Sequence, residues 1–369
     1  MKFIRAAAFA LLCSATATFA HDSAEPHSNG VPVPVNPMPI VVEKSGPVAA
    51  PARLAGRPAF SGQGFWKFVA ATDAVPVPPQ AMAELKGAHG TLIVDAGQDV
   101  VYWGLRHVGW VGFSNQLRNS WVVRGDVAFA QNNLHGADIL PRKGKLPLIA
   151  AADNEGDKVY LTDTTFLNPQ ILTRPHIGPY ADGKNYHPTD VAFAGRNRLF
   201  ITDGYGRDYF MPAMVEPFAF EEKIYGGPGF SHTPHGITYD PKSKDILVSA
   251  RPEGQLKRWS ISKEQVLEIG ALPPGTLLCD VDMWGDYALA ACLDGAKQKP
   301  GPLMILNLKT KSIASILRPK EDLGYAFADH MHDACWYIRK SGRSTEVYVI
   351  FTAWNPGGIG ALKLVNLPD

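Results

Sequence analysis

The chain has 369 residues, 46% of them apolar, and a formal net charge of +1. It is long enough for two average domains or one repeat fold, and rich enough in apolar side chains for a large core. Lys and Arg are dispersed rather than clustered, which excludes a polyanion-binding face and with it a nucleic-acid partner.

From the amino terminus, Lys2 and Arg5 precede a short apolar run over residues 6–12, and Thr18-Phe19-Ala20 supplies small residues at a cleavage position. Residues 1–20 therefore read as a signal peptide of a secreted or periplasmic protein. The run is too short to span a bilayer, so no membrane association is expected. Residues 21–58 are rich in Pro, Ala and Val without periodicity and read as a disordered lead, leaving residues 59–369 as the folded unit. An apolar stretch at residues 64–70 is expected to form a strand that completes the last unit of a closed β fold.

Beyond it, similar segments return at positions 89, 135, 189, 235, 279 and 332: His89-Gly90-Thr91, His135-Gly136-Ala137-Asp138, Thr189-Asp190-Val191, His235-Gly236-Ile237, Cys279-Asp280-Val281 and His332-Asp333-Ala334. Each copy continues as short strand, turn, strand, turn, strand, with 35 glycines and 30 prolines in the chain to punctuate them, and no stretch carries a sustained helical period. A repeat of roughly 45–50 residues built this way is the signature of propeller blades. The expected fold is all-β, a six-bladed β-propeller. Cys279 and Cys292 flank two adjacent predicted strands, which leaves open either a disulfide or two buried thiols.

The six repeat positions are expected just before the innermost strands, ringing one mouth of the central channel. His135, His235 and His332 fall on alternate blades, about 120° apart, and three converging imidazoles with an open fourth position suit a catalytic zinc ion. Asp333 beside His332 can bind a hard cation or orient an imidazole. Tyr205, Arg251 and Arg106 each follow a predicted second strand and belong in loops above the same mouth, as a candidate base and candidate carboxylate anchors. His187, His232 and His330 lie close enough in sequence to add ligands or hydrogen bonds.

The segments His187-Pro188-Thr189-Asp190-Val191-Ala192-Phe193, Phe200-Ile201-Thr202-Asp203-Gly204-Tyr205, Pro234-His235-Gly236-Ile237, Ala250-Arg251-Pro252-Glu253-Gly254 and Met331-His332-Asp333 resemble peptidyl-α-hydroxyglycine α-amidating lyase, a six-bladed propeller of NHL-type repeats. The resemblance implies zinc held by His135, His235 and His332, with Tyr205 as the base that takes the hydroxyl proton. It also implies Arg251 and Arg106 on the substrate carboxylate, and calcium held by Asp333 and the main-chain carbonyls of Thr91 and Ala137. The implied reaction splits a carbinolamide, a peptide or small-molecule carboxylate supplied by a separate hydroxylating enzyme, into an amide and glyoxylate. The chain departs from the family at Gly206, where a cysteine is expected, and at residues 210–229 and 297–302, read as insertions that remodel the mouth. Two alternatives stand beside the lyase: another metal-dependent hydrolase or lactonase on the same scaffold, and a non-enzymatic ligand- or protein-binding propeller.

Overall fold

The structure is a computed structural model of the chain and describes residues 33–43, 60–72, 75–131, 133–342 and 344–365. The signal-peptide reading of residues 1–20 lies outside the described residues. No helix among those described is long and apolar enough to cross a membrane.

The described strands form six antiparallel blades. Their innermost strands are Thr91–Asp95, Leu134–Leu140, Asp190–Phe193, Pro234–Asp240, Leu278–Trp284 and His330–Ser341, in chain order from blade 1 to blade 6. Two of the predicted strands of blade 4 match closely, at Asp245–Ala250 and Gln255–Ser260. The second strands are apolar on both sides because each blade is buried on both faces. Along Val100–Leu105, Val101 and Trp103 pack toward blade 6, whereas Val100 and Tyr102 pack toward blade 2. The strand Leu148–Asp153 repeats this, with Ile149 and Ala151 facing blade 1 and Ala150 and Ala152 facing blade 3. Six such interfaces give six apolar clusters, and the core is a ring rather than a single centre.

Trp66–Ala70 pairs antiparallel with Gly358–Leu364 in blade 6, so the ring is closed by hydrogen bonds between the two ends of the chain, as expected. Closure removes the edges that an open sheet would leave. The lead differs from its reading as disordered: Val35–Pro37 adds to blade 4 as a parallel outer strand against Ile269–Ala271. Glu43 then accepts hydrogen bonds from Trp66 Nε1, Tyr287 OH and Asn307 Nδ2 across blades 5 and 6. Those three partly buried hydrogen bonds give this stretch of the lead a reason to be ordered.

Residues 210–229 are likewise not an insertion at the mouth. They supply most of the third strand of blade 3, Tyr209–Met214, and its outer partners Ala219–Phe220 and Tyr225–Gly226. Phe210, fully buried, packs there against Trp259 and Phe230. By contrast, residues 297–302 overlap a small ribbon between the second and third strands of blade 5, in which Asp294–Gly295 pairs with Lys299–Pro300. Cys279, Cys292 and Cys335 are all buried free thiols. Cys292 stands opposite Leu278 rather than Cys279, which sits in a bulge, so the disulfide is not formed.

Candidate metal centre

Four of the six repeat positions lie within their inner strands rather than before them, and at each the register slips. The slips fall at His135, at His235 with Gly236, at Cys279, and at His332 with Asp333. A β-bulge re-aims a side chain out of the strand's alternation, and here it turns the rings toward the axis. The ring centroids of His135, His235 and His332 are 4.8, 4.6 and 4.9 Å apart, a near-equilateral triangle from blades 2, 4 and 6.

The glycines beside two of these histidines bring the next blade close. A Cβ on Gly136 would stand 2.4 Å from the Thr189 carbonyl oxygen, and one on Gly236 would stand 2.7 Å from that of Cys279. Those carbonyls are the partners of the rings: Nδ1 of His135 is 2.7 Å from Thr189 O, and Nδ1 of His235 is 3.0 Å from Cys279 O. A carbonyl only accepts, so Nδ1 carries the hydrogen in both and Nε2 presents a lone pair. A backbone acceptor behind an imidazole is the usual support of a metal ligand. His332 has neither ring nitrogen partnered, although only 2% of its surface is exposed.

Burial, reinforced by neighbouring imidazoles and by Arg251, holds all three histidines well below the ordinary imidazole range. They are neutral at neutral pH, the form that ligates a metal. The donor set and the two unpartnered nitrogens of His332 fit a borderline-soft divalent cation.

The loops between second and third strands all rise at this mouth and bring the predicted partners together. The Tyr205 hydroxyl, from blade 3, lies 3.2 Å from His135 Nε2 and 3.1 Å from His235 Nε2. Arg251, from blade 4, donates to it through Nη1 at 2.9 Å, with its guanidinium 5.1 Å from the tyrosine ring centre. Burial pushes the Tyr205 hydroxyl above the ordinary phenol range, and Arg251 pulls against that. Arg106, from blade 1, pairs with Glu155 of blade 2 at 2.9 Å. Gly206 has no room for the side chain the resemblance would place there, since a Cβ would meet the Asn185 carbonyl at 2.3 Å.

His187, His232 and His330 do not join the cluster; they pair with Asp157, Glu253 and Asp294 at 2.7, 3.0 and 3.5 Å. His89 does join it. Its ring is 4.5 Å from that of His135 and 4.8 Å from that of His332, and these three histidines each offer a nitrogen within 4.8 Å of the others. The sequence placed His89 in the ring of repeat positions without assigning it a role.

Below the histidines, a cavity of about 220 Å³ on the channel axis is lined by Asp138, Asp190, Asp280, Asp282 and Asp333. Each carboxylate accepts from an N–H of the next blade: Asp138 from Phe193, Asp190 from Ile237, Asp280 from Ala334, Asp282 from Trp336 and Asp333 from Leu92. The inner strands have free edges, and these aspartates satisfy them. Burial pushes Asp138 and Asp280 up to about 6 and Asp282 up to about 7. Asp333 is raised as well, first by burial and then by Asp280 and Asp190. Ala137 lines this cavity together with Asp333, whereas Thr91 stands beside it, next to the lining residue Leu92. The aspartates recur in the repeat segments, and that recurrence was the available signal for them. A gap of about 10 Å³ between the two layers is bounded by His135, His235, His332, Asp190, Asp280 and Asp333, and is the size of one water molecule.

No protein-family model matches the chain, and no curated protein does. Among solved structures, the chain is similar to hydrazine synthase of Kuenenia stuttgartiensis, with 9% identity and a TM-score of 0.40 over 56% of this chain and 53% of that one. The chain thus spans about half the length of the structure it matches. A likeness this distant carries no assignment, and the six-bladed propeller rests on the strand pairing itself.

Proposed function

We propose that this protein is a secreted zinc-dependent carbon–nitrogen lyase that splits an α-hydroxyglycine-type carbinolamide into an amide and glyoxylate. The observation that carries the reading is the Tyr205 hydroxyl seated between the Nε2 atoms of His135 and His235, with Arg251 donating to it. His135, His235 and His332 would hold the ion. When bound, zinc supplies Lewis acidity toward the substrate hydroxyl.

The chain's own residues do the rest. Tyr205 takes the hydroxyl proton, and the Arg251 N–H stabilises the negative charge that a base at this oxygen must carry. Arg251 and Arg106 bring positive charge to the mouth for the substrate carboxylate. Arg106 is released for that task only when its contact with Glu155 opens, which is inexpensive for a pair more than a third exposed. Calcium on the axis, held by Asp333 and the carbonyls of Thr91 and Ala137, belongs to the same reading and would offset the carboxylate charge. The substrate implies a separate enzyme that hydroxylates a glycine-type α-carbon.

Five axial aspartates from four blades favour a second reading, a metal-dependent hydrolase using a hard cation. That reading leaves Tyr205, with Arg251 donating to it beside the His135 and His235 imidazoles, without a role. Metal content separates these readings from a binding propeller, and the substrate separates them from each other. The purified protein is expected to carry about one zinc per chain, lost in His235→Ala, and to release glyoxylate from α-hydroxyhippurate. No stoichiometric metal in the wild type overturns the reading; zinc with lactone hydrolysis and no glyoxylate transfers it to the hydrolase.

A further inference from the structure

The turn that carries Tyr205, residues 203–208, folds around one buried carboxylate. Asp203 ends the second strand of blade 3 and is fully buried. Burial pushes its carboxyl up to about 6, so the group is ionised at neutral pH and both oxygens only accept. Oδ1 accepts from the backbone N–H of His187 at 2.6 Å. Oδ2 accepts from the backbone N–H of Arg207 at 2.7 Å and from the Tyr180 hydroxyl. The Asp203 carbonyl adds a further hold, accepting from Asp208 N at 3.2 Å. His187 and Tyr180 belong to the long connector between blades 2 and 3. There Tyr180 ends a short 3-10 helix and lies, fully buried, edge-on to Tyr186. One side chain thus ties the turn both to itself and to the connector.

The two glycines that flank Tyr205 close the turn onto its surroundings. A Cβ on Gly206 would fall on both carboxylate oxygens of Asp203 and on the Asn185 carbonyl. One on Gly204 would stand 2.6 Å from the Pro234 carbonyl oxygen, beside His235. Gly204 N also donates to Thr189 Oγ1 at 3.3 Å, and Thr189 O is the acceptor behind His135. Asp153 holds the corresponding turn of blade 2, accepting from Gly156 N at 2.8 Å, but that turn carries no tyrosine. The Tyr205 hydroxyl stands at the far end of its side chain, so a small rotation of the turn is amplified at the oxygen. Its contacts of 3.1 and 3.2 Å to the imidazoles and 2.9 Å to Arg251 tolerate little of that.

We propose that Asp203 is a positioning residue: by clamping the 203–208 turn to the connector, it aims the Tyr205 hydroxyl between the His135 and His235 nitrogens. This rests on the lyase reading, in which Tyr205 is the base. A reacting group displaced by about 1 Å can cost about 100-fold in rate. The clamp touches neither the histidines nor the arginines of the mouth, so it acts on kcat and leaves metal and substrate binding alone.

The test is a double-mutant cycle in the full, zinc-loaded chain with α-hydroxyhippurate, built from Asp203→Asn and Tyr205→Phe. Asparagine turns one of the two acceptors into a donor that faces a donor. In Asp203→Asn, kcat should fall about 10- to 100-fold with KM little changed and zinc retained. In the Tyr205→Phe background the same change should cost nothing further, because a residue that acts through Tyr205 has nothing left to position. Tyr180→Phe removes one of the three donors and should lower kcat by a smaller factor. Asp153→Asn loosens the corresponding turn of blade 2 and should leave kcat at the wild-type value. Unchanged kcat in Asp203→Asn, additive losses in the cycle, zinc loss in Asp203→Asn, or an equal loss in Asp153→Asn overturns the proposal while leaving the lyase reading standing. A zinc-loaded wild type that releases no glyoxylate sinks the lyase reading, and the positioning role with it. If Asp203→Asn does not fold, the cycle of Tyr180→Phe with Tyr205→Phe decides, and unchanged kcat or additivity there overturns the proposal equally.

Discussion

Tyr205 sits at the point where three influences meet: two imidazole nitrogens, a guanidinium and the burial that raises its pKa. Its position was legible because a tyrosine after the second strand of blade 3 must stand at the mouth once the repeat is recognised. The protonation state was not legible, since it depends on which groups other blades bring within hydrogen-bonding reach. Tyr205→Phe keeps the ring under Arg251 and removes only the oxygen. Glyoxylate release should fall about 100- to 10,000-fold while zinc content is unchanged. A variant that retains most of the activity would move the base elsewhere. His332 illustrates the opposite case: its place among the candidate ligands follows from the repeat, but that neither nitrogen has a partner among the described residues emerges only from the packed neighbourhood.

The inner strand is the element that builds the site, and its bulge is what aims the histidine. The His-Gly pairs of blades 2 and 4 were visible in the sequence. The register slip was not, because it is defined by a partner strand several residues away. The glycines act between elements. In Gly236→Ala the new methyl would meet backbone atoms of blade 5, Cys279 O at 2.7 Å and Asp280 Cα at 2.9 Å, and neither can rotate away. Separation of the two strands should cost about 1–3 kcal/mol, read as a lower denaturant midpoint. The His235 contact to Cys279 O should lengthen with it, weakening zinc binding. An unchanged midpoint and unchanged affinity would show that the blades are not held at this distance.

At the scale of the whole molecule, closure and the channel matter most. Trp66 is 2% exposed on the closing strand, in edge contact with Trp284 and Tyr287 and donating to Glu43 Oε2 at 2.9 Å. Trp66→Ala should cost about 3–5 kcal/mol and render blade 6 the first to be cut in limited proteolysis; equal protease resistance would contradict a closing role. The channel sets the pH dependence. Asp282 ionises near 7 in the folded protein, against 3.8 for an ordinary Asp carboxylate, although its lumen-facing surface tempers that rise. The folded state therefore binds more protons between those values. The stability is fully present below about 4 and is lost as pH rises toward 7, by up to about 1.4 kcal/mol for each pH unit in that window. The stability of metal-free wild type minus that of Asp282→Asn should fall as pH rises from 4 to 7. A flat difference would mean that the lumen is as wet as bulk solvent.

The sequence by itself determined the number of blades, the strand that closes the ring, the three axial histidines and the mouth positions of Tyr205, Arg251 and Arg106. All of these follow from a repeat period and from where a residue stands within it. Only the tertiary structure decided what those residues meet. The lead strand on blade 4 has no periodic signal, and its order comes from partners in blades 4, 5 and 6. The disulfide is excluded by one residue of register, the aspartates become inter-blade clamps only when two blades abut, and His89 meets His135 and His332 only once blades 1, 2 and 6 stand side by side. Period is a local property that survives in a linear chain, whereas hydrogen-bond direction at the axis depends on six blades closing at once.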